Sequence, residues 1–219
     1  MKHIKTIMAS LMLAALLTSC DKASNSNAAQ PSATDTTAVA EDNAVIDNIM
    51  ARRSIRKYQD KTVDRQILTK IMECGINAPN GQNKQSWEVR VVDKPEVMAQ
   101  IKDIMAKANP DKEAEKITGC FRNAPVMVFI ARDKGYDFSA YDCGLMAQNI
   151  MLSATSLGIG SICLGSPVRI INDNPQCAPV LEKLNFSEGY ELCLCVGLGY
   201  ADEAPEAKPR DMGKVKFVD

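Results

Sequence analysis

Two basic clusters lie far apart in this chain. Arg52, Arg53, Ser54 and Arg56 fall within RRSIR, and Lys208 and Arg210 flank a proline in KPR. A guanidinium offers a planar fork of donors that matches a phosphate, and a serine hydroxyl adds one more. Either cluster alone reads as a solvated segment, whereas the two together could clamp one dianionic phosphate. Between them, APNGQNKQSW places Pro79, Asn80, Asn83 and Gln85 just ahead of Trp87, the only tryptophan. A polar loop that ends on an aromatic and enters the strand-like VRVV is suited to presenting amide groups to a bound ligand.

Other chemistries are excluded by composition. The only histidine is His3, inside the N-terminal segment that reads as a secretory signal, so His-dependent triads, HExxH zinc sites and His proton shuttles are not expected in the mature chain. Of eight cysteines, seven follow Cys20, and none is spaced as CxxC, so a metal centre is not expected. Most of them sit among apolar neighbours and read as small hydrophobes. Cys193 and Cys195 are expected to share one face of a strand, where a bond between them would be strained. Gly158, Gly160 and Gly165 miss the GxGxxG spacing and lie after a helix and before a strand, the reverse of a Rossmann turn. Without Lys2 and Lys5 the chain has 24 basic and 27 acidic residues, which gives no basis for nucleic-acid binding.

The elements that must position the two clusters follow from pattern. Residues 1–19 read as a secretory signal: Lys2 and Lys5, an apolar run from Ile7 to Leu17, then LLTSC. The ending resembles a bacterial lipobox, which implies lipidation of Cys20 and an exported, membrane-anchored protein on the periplasmic side or outer surface. Residues 20–42 are Ala, Ser, Thr, Asn and Asp with little to bury, and read as a disordered tether reaching roughly 25 Å. The folded domain is placed at 43–219. Asn43 and Asp64 are expected to cap two helices. Strands are expected at 87–92, 126–131, GSICL and YELCLCVGLGY, and helices at about 95–107, 138–158 and 176–184. No residue from Cys143 to Val168 is charged, so the long helix should be buried both in the core and against a partner subunit. The terminal KVKFV, beyond a Pro-rich arm, should pair away from its own core. The fold class is α+β.

RRSIRKY, APNGQNKQSWEVRVV, YDCGLMAQNIMLSATSLGIGSICLGSP and LGYADEAPEAKPR, in this order and spacing, resemble the nitroreductase family of FMN flavoproteins from about Ile49 to Arg210. The resemblance implies a mixed β-sheet flanked by helices and an intertwined homodimer with two FMN sites built from both subunits. It places Arg52, Arg53, Ser54 and Arg56 on the FMN phosphate and ribityl chain, with Lys208 and Arg210 on the same phosphate. Pro79, Asn80, Asn83 and Gln85 would face the flavin from the other subunit, and Leu164 and Gly165 would pass over its ring. No side chain is assigned as catalytic, because the cofactor carries the redox step. The implied activity is ping-pong two-electron reduction of a small acceptor, a nitroaromatic, quinone or similar, by NAD(P)H or another reductant. The alternatives are a flavin-binding lipoprotein without turnover and a dehalogenating or flavin-fragmenting relative. Asn80 stands where the family has Ser and Ser86 where it has Pro, and loss of the proline is expected to loosen the loop.

Overall fold

The structure, a computed structural model, describes residues 43–218. The signal at 1–19, Cys20 and the tether at 20–42 lie outside the described residues.

Four strands form one sheet: β1 (Trp87–Val92), β2 (Val126–Asp133), β3 (Gly160–Leu164) and β4 (Tyr190–Gly199), in the order β1-β2-β4-β3. All three strand pairs are antiparallel, and parallel pairing enters through the single bridge between Ser54 and Ser161. Val126 to Ala131 are buried throughout, so β2 reads as a continuous apolar run because both faces of the sheet are covered. On one face, Met127 and Phe129 meet α3 (Pro95–Lys107), α4 (Ala114–Thr118) and α7 (Ala178–Leu184). On the other, Val128 and Ile130 meet α2 (Arg65–Ile76) and α5 (Ser139–Ser156).

The expected caps are present. The Asn43 side chain accepts hydrogen bonds from the Val45 and Ile46 amides at the start of α1 (Ala44–Ala51), and Asp64 accepts from Gln66 at the start of α2. A helix not foreseen, α6 (Ser166–Asn172), follows β3 directly. The 176–184 helix divides into a 3-10 turn at Pro175–Cys177 and α7.

Cys193 and Cys195 do not share a face. The pairing of β2 with β4 shifts between Ile130 and Ala131, which face Leu194 and Leu192, so Cys193 is the extra residue of a β-bulge. The bulge turns Cys193 toward α5 and leaves Cys195 in the opposite core. All seven cysteines among the described residues are free thiols.

The α5 helix is only half covered within its own chain. Asp142, Cys143, Met146, Ala147, Ile150, Met151 and Ala154 are buried, while Tyr141, Gly144, Leu145 and Gln148 face outward. That outward face carries no charge, as the partner-subunit expectation requires. The segment KVKFV forms no strand within the chain, and Phe217 is 92% exposed.

One close approach fixes the end of β4. A Cβ at Gly199 would stand 2.6 Å from both Cγ and Cδ of Pro125 and 2.8 Å from Cδ1 of Tyr58. The rigid proline ring cannot retreat as a flexible side chain would. Gly199→Ala is therefore expected to cost about 1–3 kcal/mol by overpacking. A thermal melt of the variant should show a midpoint several degrees lower, and an unchanged midpoint would remove this contact from the account.

Candidate active site

The chain leaves α1 at Arg52 and is laid against β3. Ser54 bridges Ser161, and the Ile55 amide donates to the Ser161 carbonyl at 2.9 Å. Residues 57–59 then pair with 200–202 through Gln59 N–H to Tyr200 O (2.9 Å) and Asp202 N–H to Lys57 O (3.0 Å). The Glu203 carboxylate accepts from the amides of Arg56 and Lys57. Burial, with the Glu203 carboxylate adding to it, pushes the Tyr58 hydroxyl well above its usual range. The hydroxyl thus stays protonated and donates to the Ile55 carbonyl at 2.8 Å. These contacts bring the C-terminal arm back over RRSIR.

The result is a cleft of about 330 Å³ lined by Arg52, Arg53, Ser54, Arg56, Lys208 and Arg210, with Ile49, Met50 and residues 205–207 completing it. Both basic clusters thus meet in one place. Among the described residues none of these five cations is in an ion pair. Arg53 donates to the carbonyls of Met50 and Arg52 and so closes the end of α1, while among the described residues the guanidinium groups of Arg56 and Arg210 donate only to nearby carbonyls. Unpaired cations around a serine are the donor set a phosphate dianion requires. Glu206 also lines the cleft, a feature that motif reading did not flag.

Leu164 and Gly165 lie at the far end of β3 from the Ser54 bridge. The Leu164 side chain belongs to the core on the opposite face, which leaves only its backbone for a ligand. A Cβ on Gly165 would meet nothing within 4 Å, so the space before it is open. Between these points, Cys163 is exposed, and the Arg52 guanidinium is near enough to offset part of the upward push that burial gives its thiol.

Pro79, Asn80, Asn83 and Gln85 do not join this cleft. Their loop is moored at the N-terminal end of α5, where Asp142 accepts from Gly81 N–H. In contrast, α1 is moored near the other end of α5, where Asn48 donates to the Leu152 carbonyl at 3.0 Å. Ten residues of helix separate the two moorings by about 15 Å. Ser86 is not a loosening of this loop. It is 2% exposed and donates its hydroxyl to Asp142.

A family model described as "Nitroreductase family" matches residues 49–200. The chain belongs to the nitroreductase family. Among its relatives, the NADPH-flavin oxidoreductase of Vibrio harveyi is 30% identical over 178 residues, covering 77% of this chain and 70% of that protein. A Methanothermobacter thermautotrophicus protein with a provisional NADH dehydrogenase/NAD(P)H nitroreductase name is 30% identical over 125 residues, which is 60% of its length. Among solved structures, the FMN-bound nitroreductase from Bacteroides fragilis superposes with a TM-score of 0.72 at 26% identity, covering 81% of this chain and 100% of that one. An FMN-bound nitroreductase from Desulfitobacterium hafniense gives the same TM-score at 29% identity, covering 81% and 99%. The nitroreductase fold thus accounts for the sheet and its flanking helices.

Proposed function

We propose that this nitroreductase-family chain is an FMN-dependent oxidoreductase that reduces a small acceptor, such as a nitroaromatic or a quinone, with electrons from NAD(P)H or another reductant. The observation that carries the reading is the cleft in which Arg52, Arg53, Ser54, Arg56, Lys208 and Arg210 converge, with none of these cations ion-paired among the described residues. When bound, FMN would supply the two-electron redox chemistry. The protein's own part is positional. Arg52, Ser54, Lys208 and Arg210 would hold the phosphate, and Arg53 holds the end of α1 from which Arg52 and Ser54 extend. The backbone N–H groups at Leu164 and Gly165 would stabilise negative charge on the ring. Asn83 and Gln85, on the loop moored to α5, read the ring's edge in a homodimer.

The direct test is reconstitution. Protein incubated with FMN and desalted should carry about one flavin per subunit, since the reading assigns one phosphate cleft to each chain. It should also lose its flavin colour on anaerobic addition of NADPH or NADH. A protein that stays colourless in excess FMN would overturn the proposal. Colour that persists with every reductant would favour a binding protein without turnover.

Anchoring is proposed separately, on LLTSC and the polar stretch after it. Expressed from its full sequence in a bacterium, the protein should fractionate with membranes, and Cys20→Ser should release it or leave an uncleaved precursor. Among the described residues no helix is long and apolar enough to cross a membrane. Soluble wild-type protein with no acyl mass would refute lipidation.

A further inference from the structure

The geometry points to Asp142 as the positioning residue of the flavin-reading loop, one carboxylate holding both ends of the loop so that its amides stand ready for the ligand. The inference rests on the FMN reading above. Asp142 lies in the first turn of α5 and is 3% exposed. One carboxylate oxygen accepts from the Gly81 amide at 3.0 Å and the other from the Ser86 hydroxyl at 2.7 Å. Burying a carboxylate is unfavourable unless it is hydrogen-bonded, and these two bonds, with the start of a helix, satisfy it.

The loop between these two points needs such a hold. Gln82, Asn83 and Gln85 have φ of 55°, 53° and 48°, left-handed conformations that side chains with a Cβ disfavour. Backbone of this kind persists only where its surroundings over-determine it. Inside the loop, Asn80 Oδ1 accepts from the Gln85 amide at 2.9 Å, which closes the turn. Gly81 lies beneath Tyr136, whose hydroxyl would be 2.1 Å from a Cβ at that position. The side chains of Asn83 and Gln85 are exposed and make no hydrogen bond among the described residues. Strain is therefore held in the backbone while the two amide groups are left free. Asp142 also ties this loop to the helix whose outward face would meet the partner subunit, so docking and loop placement share one rigid element.

A positioning role differs from a purely structural one in what it changes. In the full-length dimer, Asp142→Asn and Ser86→Ala should each weaken FMN and riboflavin by the same factor, about tenfold, because the loop reads the ring and not the phosphate. Ser86→Thr, which keeps the hydroxyl, should restore wild-type affinity. Hydrogen exchange should quicken at the Gly81 and Gln85 amides while the β2 core stays protected. If Asp142→Asn does not fold, Ser86→Ala carries the test by itself. The inference is overturned if flavin affinity is unchanged in folded variants, if exchange at Gly81 does not respond, or if FMN weakens and riboflavin does not. Should wild-type protein bind no FMN, the proposed function fails, whereas exchange at Gly81 would still report whether Asp142 holds the loop.

Discussion

Arg52→Ala and Arg210→Ala should each weaken FMN by tenfold or more and change riboflavin little. Both residues line the basic cleft, one from the end of α1 and one from the C-terminal arm. Neither guanidinium is committed to a carboxylate among the described residues. A charge-assisted hydrogen bond contributes on the order of 1.5–3 kcal/mol, and about 1.4 kcal/mol corresponds to a factor of ten. Riboflavin lacks the phosphate and should not register the loss. Arg53→Ala is a poorer probe, since Arg53 also closes α1 through the Met50 and Arg52 carbonyls. Flavin fluorescence titrations at fixed ionic strength would decide the matter, because added salt screens exposed charges such as Lys208. Equal losses for the two ligands would refute the phosphate assignment.

Leu145→Glu should separate the proposed homodimer. Leu145 is 46% exposed and Tyr141, one turn earlier, is 69% exposed. Phe138 precedes them, and Ile46 and Ile49 of α1 add to the outward apolar surface. A carboxylate buried at such an interface without a partner costs about 3–5 kcal/mol, equivalent to a rise of roughly 10²–10⁴ in the dimer dissociation constant. A two-fold interface would carry the change on both subunits. Sedimentation velocity across a dilution series should show the shift, and retained flavin should fall with it. An unchanged dimer would place the interface on another face of α5.

Much of this was legible in the sequence, for reasons that differ by residue. Asn43 and Asp64 announced their helices because a capping side chain acts on its nearest amides, which is local information. The pairing of the two basic clusters, which do line one cleft, was legible because arginines on exposed segments have no packing role that would hide them. Helix α6 escaped because seven residues beginning Ser-Pro look like a turn, and only Pro167 and Ile171 are buried. The bulge escaped because it depends on the strand opposite, at Ile130 and Ala131, and not on Cys193. Ser86 was misjudged for the same reason. Its effect on the loop is set by Asp142, which is 56 residues away in sequence, and one acidic residue in a helix's first turn looks unexceptional alone.

The distance that α5 sets between its two moorings has a consequence for inheritance. If each flavin takes its phosphate contacts from one chain and its ring contacts from the other, no cofactor belongs to a single polypeptide. A chain impaired at Arg52 and a chain impaired at Asp142 would each form dimers with two poor sites. Joined as a mixed dimer, they would place both lesions in one site and leave the other whole. Two alleles that fail separately would then rescue one another in the same cell, and the mapping of rescue would sort every site residue to one end of α5 or the other.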